Sequence, residues 1–291
     1  MRAQYHPEQA AVLWEECLKL LPPESEQFHA VQMEIARLRS SPQGGVPVLD
    51  YAAPPENPQE TLPIAILKTG ASMLVSIFVY QYSFGWAGAA GFVFLILIHE
   101  LGHVVANLYY GLRASPPIFI PYVGAVINLR QSPPNAKVEA IIGIAGPIAG
   151  TIAALAAFAI YLATGSELAL ELSWFGFTMN LFNLLPVPPL DGGRVTAAVS
   201  PWVWIVGLAG LGWMLVDEFL AHRNSWMLLA ILVFALPRIV GTLKAGGRSG
   251  PYYAIGKIAP IVIGVAYLIL LLTLIALRLY TSSQLGNGGL F

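Results

Sequence analysis

The sequence contains little charge and almost no cysteine. Charged residues make up 11% of the 291 positions and hydrophobic residues 56%, whereas ordinary soluble domains carry roughly 25% charged residues. This composition excludes a soluble enzyme and predicts an integral membrane protein. The single cysteine, Cys17, excludes an intrachain disulfide framework and a cysteine-based metal site. The net charge of −1 offers no basic field for nucleic acid, so we expect no nucleic-acid partner.

The N-terminal region lacks the basic-then-apolar pattern of a secretory signal peptide, so we expect it to remain on the side of the membrane where it is made. Residues 1–45 show two amphipathic helical patterns separated by Pro22-Pro23, which predicts a small soluble helical hairpin that resembles one tetratricopeptide unit. One such unit cannot bury its apolar face alone. It therefore predicts a protein partner, a second copy or packing on the membrane body. Residues 46–62 are rich in Pro and Gly and predict a linker.

The rest of the chain is apolar, and a membrane-spanning helix needs roughly 20 apolar residues. We predict an all-α polytopic membrane protein with about seven transmembrane helices, at residues 63–82, 85–109, 138–163, 170–187, 197–217, 225–242 and 253–279. Residues 63–200 form the predicted core and residues 201–291 the C-terminal transmembrane helices. Most Lys and Arg residues then lie on the side of the N-terminus, with only Arg223 and Arg278 opposite, which makes that side cytoplasmic.

The second predicted span contains FVFLILIHELGHVVANLYYGL, residues 92–112. His99 and His103 are four residues apart, so both imidazoles lie on one helix face and can bind one metal ion. Glu100 lies next to them and can reach a water on that ion, in the His-Glu-x-x-His pattern typical of zinc peptidases. Ionisable groups inside a span cost roughly 2.5–3.5 kcal/mol each and are usually functional. The alternative is a pair of histidines hydrogen-bonded to neighbouring backbone, with Glu100 protonated.

Two histidines leave a catalytic zinc site one protein ligand short. The candidate third ligands are His222, Glu139, Glu167, Glu171, Asp191, Asp217 and Glu218. The predicted topology places all of them except Glu139 and Asp191 on the outer side, and Glu139 begins a span too near the inner surface. Asp191 follows a Pro-rich break, which predicts a helix opened to present its carboxylate. The alternative is an interfacial turn in which Asp191 caps the next helix.

The HELGH motif in a transmembrane helix, followed by NLLPVPPLDGG in a later one, resembles the site-2 protease family of intramembrane zinc metalloproteases over roughly residues 61–200. The resemblance implies that His99, His103 and Asp191 bind one zinc ion and that Glu100 is the catalytic base. It implies that Asn183 holds the substrate or the oxyanion. It also implies a catalytic core of three helices, the second to fourth spans, and a transmembrane protein substrate cleaved in regulated intramembrane proteolysis. The expected location is the inner membrane of a bacterium, with the site toward the cytoplasm.

Residues 116–129 contain β-branched and aromatic runs that resemble the short membrane-embedded β-hairpin of this family, the alternative being a re-entrant loop. The sequence departs from the family in two ways. Many relatives carry an Asn a few residues after the Gly146-Pro147 pair, where this chain has Gly150. No segment is long enough for the PDZ domain of many relatives, and the predicted N-terminal hairpin takes the place of a regulatory module.

Two other functions stay open at this point. One is a protease-like membrane protein that binds partners without cleaving them. The other is a metal transporter with histidines on the ion path, against which the lack of internal repeats argues.

Overall fold

The computed structural model describes residues 62–112, 115–122, 124–126, 132–221, 226–244, 246–247 and 250–287, together with isolated helical positions at 15, 18, 29, 31–33, 35 and 36. The chain divides into two compact units, Met1–Gln59 and Glu60–Phe291. The predicted hairpin at 1–45 and the linker at 46–62 lie almost entirely outside the described residues, so both stay predictions.

The second unit consists of helices and one small sheet. Its elements are α1 (Leu62–Tyr109), β1 (Ile118–Ile120), β2 (Gly124–Val126), α2 (Ala136–Thr164), α3 (Glu167–Asn183), α4 (Asp191–Val199), α5 (Val203–Leu220), α6 (Trp226–Lys244), a 3₁₀ turn (Pro251–Tyr253) and α7 (Ile258–Asn287). Among the described residues, five helices are long and apolar enough to cross a membrane, namely α1, α2, α5, α6 and α7. The prediction of a helical membrane protein is confirmed, while the count of seven spans stays a prediction.

Helix α1 reverses its direction at Gly85, which has φ 66° and ψ 170°. Glycine adopts this backbone conformation without the clash that a Cβ atom would cause. The rings of Tyr80 and Phe92 lie 5.3 Å apart, although twelve residues of straight helix would separate them by about 18 Å. The two arms of α1 therefore pack against each other, and the break falls between the predicted spans 63–82 and 85–109.

The two strands form the predicted β-hairpin within residues 116–129. They are antiparallel, with Phe119 opposite Ala125. Phe119 is buried against the second arm of α1, and its backbone N–H donates to Ser72 Oγ at 3.0 Å. Thr69 Oγ1 donates to the Pro117 carbonyl oxygen at 2.9 Å. The sheet is thus attached to both arms of α1.

The segment between α3 and α5 differs from the predicted spans 170–187 and 197–217. Helix α3 ends at Asn183, because the prolines that follow, Pro186, Pro188 and Pro189, lack the N–H donors that a helix needs. Asp191 is then the first residue of the short helix α4, with Leu190 as its N-cap. Asp191 therefore begins a new helix beyond the break and does not lie in an opened stretch of a longer one.

Two glycines allow α4 to pack directly on the turn before it. A Cβ atom on Gly192 would lie 2.1 Å from the Leu184 carbonyl oxygen, and one on Gly193 would lie 2.3 Å from Pro188 N. Trp204 Nε1 donates to the Gly193 carbonyl oxygen at 2.9 Å. These contacts fix the position of Asp191 relative to α3 and α5.

Candidate metal centre

Three side chains converge on one point among α1, α2 and α4. His99 Nε2 lies 3.2 Å from Asp191 Oδ2, and His103 Nε2 lies 3.1 Å from the same oxygen. The two Nε2 atoms are 3.2 Å apart. All three residues are buried. The structure therefore brings together the three residues that the sequence predicted as metal ligands.

The second ring nitrogen of each histidine is engaged by an acceptor. His103 Nδ1 lies 2.8 Å from the Ile142 carbonyl oxygen, and His99 Nδ1 lies 2.8 Å from Asn180 Oδ1. The Asn180 amide nitrogen donates to the Gly176 carbonyl oxygen at 2.7 Å, which fixes the orientation of that amide. Both Nδ1 atoms must then carry the proton, so in the neutral rings both Nε2 atoms present lone pairs.

Three acceptor atoms at this spacing match the requirements of a metal cation. Two imidazole nitrogens and one carboxylate oxygen repel one another unless a positive charge lies between them. A tetrahedral zinc ion with bonds of about 2.05 Å separates its ligand atoms by about 3.3 Å, close to the 3.1 and 3.2 Å found here. His99, His103 and Asp191 can hold a metal ion.

Asn180 is a site residue that the sequence analysis missed. Its side chain is fully buried, and a Cβ atom on Gly150 would lie 2.3 Å from Asn180 Oδ1. Gly150 therefore leaves the space that the Asn180 amide occupies. The polar group expected after Gly146-Pro147 in α2 is absent, and an amide from the facing helix α3 contacts His99 instead.

Glu100 and Asn183, the two predicted catalytic residues, occupy different surroundings. Glu100 is half-buried in α1 beside the two histidines, within electrostatic range of Asp191 and Arg194. Asn183 donates its side-chain amide to the Met179 carbonyl oxygen at 3.2 Å, within its own helix. Its predicted role toward substrate stays a prediction.

Glu139, the other inner-side candidate for a third ligand, does not join the three converging side chains. Its Oε1 faces Arg194 Nε at 3.6 Å, and its Oε2 accepts a hydrogen bond from Tyr252 Oη at 2.5 Å. Tyr252 lies in the 3₁₀ turn that connects α6 to α7. Burial and this hydrogen bond raise the pKa of Tyr252, so Tyr252 stays protonated and donates. Of the two carboxylates, Asp191 and not Glu139 lies beside His99 and His103.

A helical membrane protein whose buried histidines and aspartate can hold a metal, with a glutamate beside them, has the features of a membrane-embedded metallopeptidase. Residues 87–169 match the model of Peptidase family M50. This part of the chain is therefore similar to peptidase family M50, the family of site-2 proteases that the sequence motifs also indicated. The matched region includes His99, Glu100 and His103 and ends before Asp191, whose place in the site rests on the geometry.

Several curated proteins are similar to parts of the chain. Zinc metalloprotease MJ0392 of Methanocaldococcus jannaschii is 27% identical over 170 residues, which cover 56% of this chain and 47% of that protein. Probable zinc metalloprotease EGY1, chloroplastic, of Arabidopsis thaliana is 28% identical over 182 residues, 43% of this chain and 33% of the relative. Stage IV sporulation protein FB of Bacillus subtilis is 29% identical over 103 residues, 35% and 36% of the two chains. The chain thus spans less than half the length of these relatives.

Proposed function

We propose that the protein is an intramembrane zinc metalloprotease that hydrolyses peptide bonds in or near transmembrane segments of other membrane proteins. This proposal rests on the convergence of His99 Nε2, His103 Nε2 and Asp191 Oδ2. Glu100 lies beside these three atoms.

His99, His103 and Asp191 would hold the zinc ion. Two nitrogens and one oxygen leave a fourth position free, as in catalytic zinc sites generally. Bound there, zinc would polarise a water molecule and lower its pKa to roughly 7.

The other residues of the site then have defined tasks. Asn180 Oδ1 and the Ile142 carbonyl oxygen hold the imidazoles with their Nδ1 protons outward, so that both Nε2 atoms stay available. A Glu100 carboxylate oxygen accepts the proton of the attacking water and then delivers it to the nitrogen of the broken C–N bond. Asn183 is proposed to contact the substrate or its oxyanion.

The substrate would be a transmembrane helix that is locally unwound, because an intact helix engages its own carbonyl groups. An extended peptide can pair with the edge of a two-stranded sheet. Ser72 and Thr69 of α1 already bond the backbone of Phe119 and Pro117 at the outer edge of β1, so the peptide is proposed to pair with the edge of β2. The exposed side chains of Ile118 and Ile120 in β1 offer an apolar surface next to that edge. This arrangement supports the hairpin as the place where the unwound segment binds.

The membrane arrangement is also part of the proposal. Counting the two arms of α1 separately and adding α3 to α2, α5, α6 and α7 gives the seven predicted crossings. We place the N-terminus in the cytoplasm and the site toward that side of a bacterial inner membrane. The N-terminal hairpin is proposed to bind a protein partner.

The test uses the purified full-length protein in liposomes with a model transmembrane substrate. The wild type should contain about one zinc per chain and cleave the substrate, with the cut site read by mass spectrometry. Glu100→Gln should retain zinc and lose cleavage, because the amide cannot accept the proton. Glu171→Gln, a carboxylate in α3 that faces the predicted outer side, is the matched control and should cleave normally.

Two results would contradict the proposal. Normal turnover by Glu100→Gln would remove the assigned base. A wild type that holds zinc and cleaves no transmembrane substrate would favour a protease-like binding protein, while zinc uptake into the liposomes would favour a transporter.

A further inference from the structure

Behind Asp191, on the side away from the two histidines, lies a connected row of charged and polar side chains. Asp191 Oδ2 points to the histidines, whereas Asp191 Oδ1 faces Arg194 Nη1 at 3.6 Å. Arg194 Nε faces Glu139 Oε1 at 3.6 Å, and Glu139 Oε2 accepts a hydrogen bond from Tyr252 Oη. The row thus connects the beginning of α4, through the first turn of α2, to the 3₁₀ turn before α7.

The central members of this row are shielded from water. The side chains of Arg194, Glu139 and Asp191 are 19%, 16% and 10% exposed. Charges at such positions are screened less than surface pairs, so their mutual attraction is stronger. Arg238, which also approaches Glu139 at 3.9 Å, is 54% exposed and therefore contributes less.

The position of Arg194 has a consequence for the way Asp191 can bind a metal. A carboxylate can coordinate a cation through one oxygen or through both. With the guanidinium group beside Oδ1, only Oδ2 is free to face the metal. The remaining coordination position then stays open for water and the substrate carbonyl.

Arg194 needs a second anchor to stay in this place, because its side chain is long and has many rotamers. Glu139 supplies the opposite charge on the far side of the guanidinium group. Tyr252 in turn fixes the Glu139 carboxylate by donating to its other oxygen. Tyr252 therefore acts on Asp191 through two intermediate side chains.

We propose that Arg194 is a positioning residue for the metal ligand Asp191, and that Glu139 and Tyr252 hold Arg194 in place. The C-terminal part of the chain, which carries no chemical motif of its own, thereby contributes to the metal site through Tyr252. The inference rests on the proposed function, since it requires a metal at His99, His103 and Asp191.

The experiment measures zinc affinity of the detergent-purified full-length protein by competition with a chromophoric chelator. The variants are Arg194→Gln, Tyr252→Phe and the double variant. Arg194→Gln should bind zinc about 10- to 100-fold more weakly, the usual effect of removing a partner of a metal ligand. Tyr252→Phe should weaken binding several-fold. The double variant should bind no more weakly than Arg194→Gln, because Tyr252 acts only through Arg194.

Two control variants match these changes. Lys137→Gln removes the positive charge of an exposed side chain in α2, two residues before Glu139. Tyr82→Phe removes the hydroxyl of a tyrosine that is 76% exposed. Both should bind zinc like the wild type. If Arg194→Gln does not fold, Arg194→Lys replaces it, since lysine keeps the charge and loses the planar fork that reaches both carboxylates. It should also bind zinc more weakly.

A second readout distinguishes positioning from general stabilisation. With cobalt in place of zinc, the visible absorption reports the coordination number, because four-coordinate cobalt absorbs more strongly than five- or six-coordinate cobalt. Arg194→Gln frees Asp191 Oδ1 to bind as well, so the absorption should weaken. If Arg194 only stabilised the fold, the visible absorption of the cobalt-loaded Arg194→Gln variant would be the same as that of the cobalt-loaded wild type.

The results that would contradict this inference differ from those that would contradict the proposed function. The inference is overturned if Tyr252→Phe binds zinc with wild-type affinity. It is also overturned if the loss of zinc affinity in the double variant equals the product of the losses in the two single variants. The proposed function stands in both cases. An unchanged cobalt spectrum in Arg194→Gln also overturns the inference. A wild type that binds no divalent metal refutes the proposed function, and this inference with it.

Discussion

Gly146 in α2 faces His103 Nε2, the proposed metal-binding nitrogen, so an alanine here tests the site without altering any proposed ligand. A Cβ atom at Gly146 would lie 2.2 Å from His103 Nε2, whereas real contacts of this kind are not shorter than 3.0 Å. The imidazole must therefore move by about 0.8 Å, the difference between 3.0 and 2.2 Å. Metal–ligand distances tolerate deviations of only about 0.2 Å.

Helices α1 and α2 also pack closely at a second position beside the site. A Cβ on Gly102 would lie 2.4 Å from the Ala145 carbonyl oxygen, which shows how closely α1 and α2 approach beside the site. We expect zinc affinity to fall at least tenfold and up to about 100-fold. The fold should survive, because overpacking costs roughly 1–3 kcal/mol and alanine regains about 1 kcal/mol of helix propensity.

The assay is zinc content per chain after dialysis, with thermal unfolding of the metal-free protein to show that the variant is folded. Gly241→Ala in α6 is the matched control, since a Cβ there meets nothing within 4 Å. It should bind zinc like the wild type. If a folded Gly146→Ala also bound zinc like the wild type, His103 could not occupy the ligand position described here.

Three further predictions address the surroundings of the site. Asn180→Ala should weaken zinc binding about 10- to 100-fold, because His99 loses the acceptor that fixes its Nδ1 proton; chelator competition measures this. Trp204→Phe should lower the free energy of unfolding by about 0.5–1.5 kcal/mol, because the Gly193 carbonyl oxygen loses its indole donor and keeps only the longer hydrogen bond from Thr196 Oγ1 at 3.4 Å; denaturant or thermal unfolding measures it, and unchanged stability would show that water replaces the bond. Removal of zinc by a chelator should lower the thermal midpoint, and zinc at about 100 times its dissociation constant should restore about 2.7 kcal/mol; a midpoint insensitive to zinc would contradict the site.

The parts of the site that the sequence could predict are those set by local spacing. His99 and His103 share a helix face because four residues make roughly one turn, and few ionisable residues were available to complete their site. The short hairpin followed from β-branched and aromatic residues around Gly124. In each case a local pattern was sufficient.

The residues that sequence reasoning missed depend on how helices are rotated against one another. Asn180 and Asn183 lie three residues apart in α3, and either could point toward the histidines on sequence grounds. Only the packing of α3 on α1 and α2 brings Asn180 to His99 and leaves Asn183 on its own helix. The facing glycine at position 150 was a signal that a side chain from another helix fills that space, but a sequence alone does not say which one.

The short helix α4 was missed for a different reason. Its nine residues contain two adjacent glycines, Gly192 and Gly193, which have poor helix propensity. They are present because backbone from the preceding turn comes within reach of any Cβ. Tertiary packing here outweighs local preference.

The distribution of the ligands along the chain determines when the site can form during synthesis. His103 and Asp191 are 88 residues apart, and at about 5–20 residues per second the ribosome needs roughly 4–18 seconds to make that stretch. During this interval α1 can already lie in the membrane with both histidines, while the carboxylate does not yet exist. A nascent or stalled chain that stops before α4 therefore cannot assemble the proposed three-ligand site, and the proposed protease activity cannot begin before α4 is made.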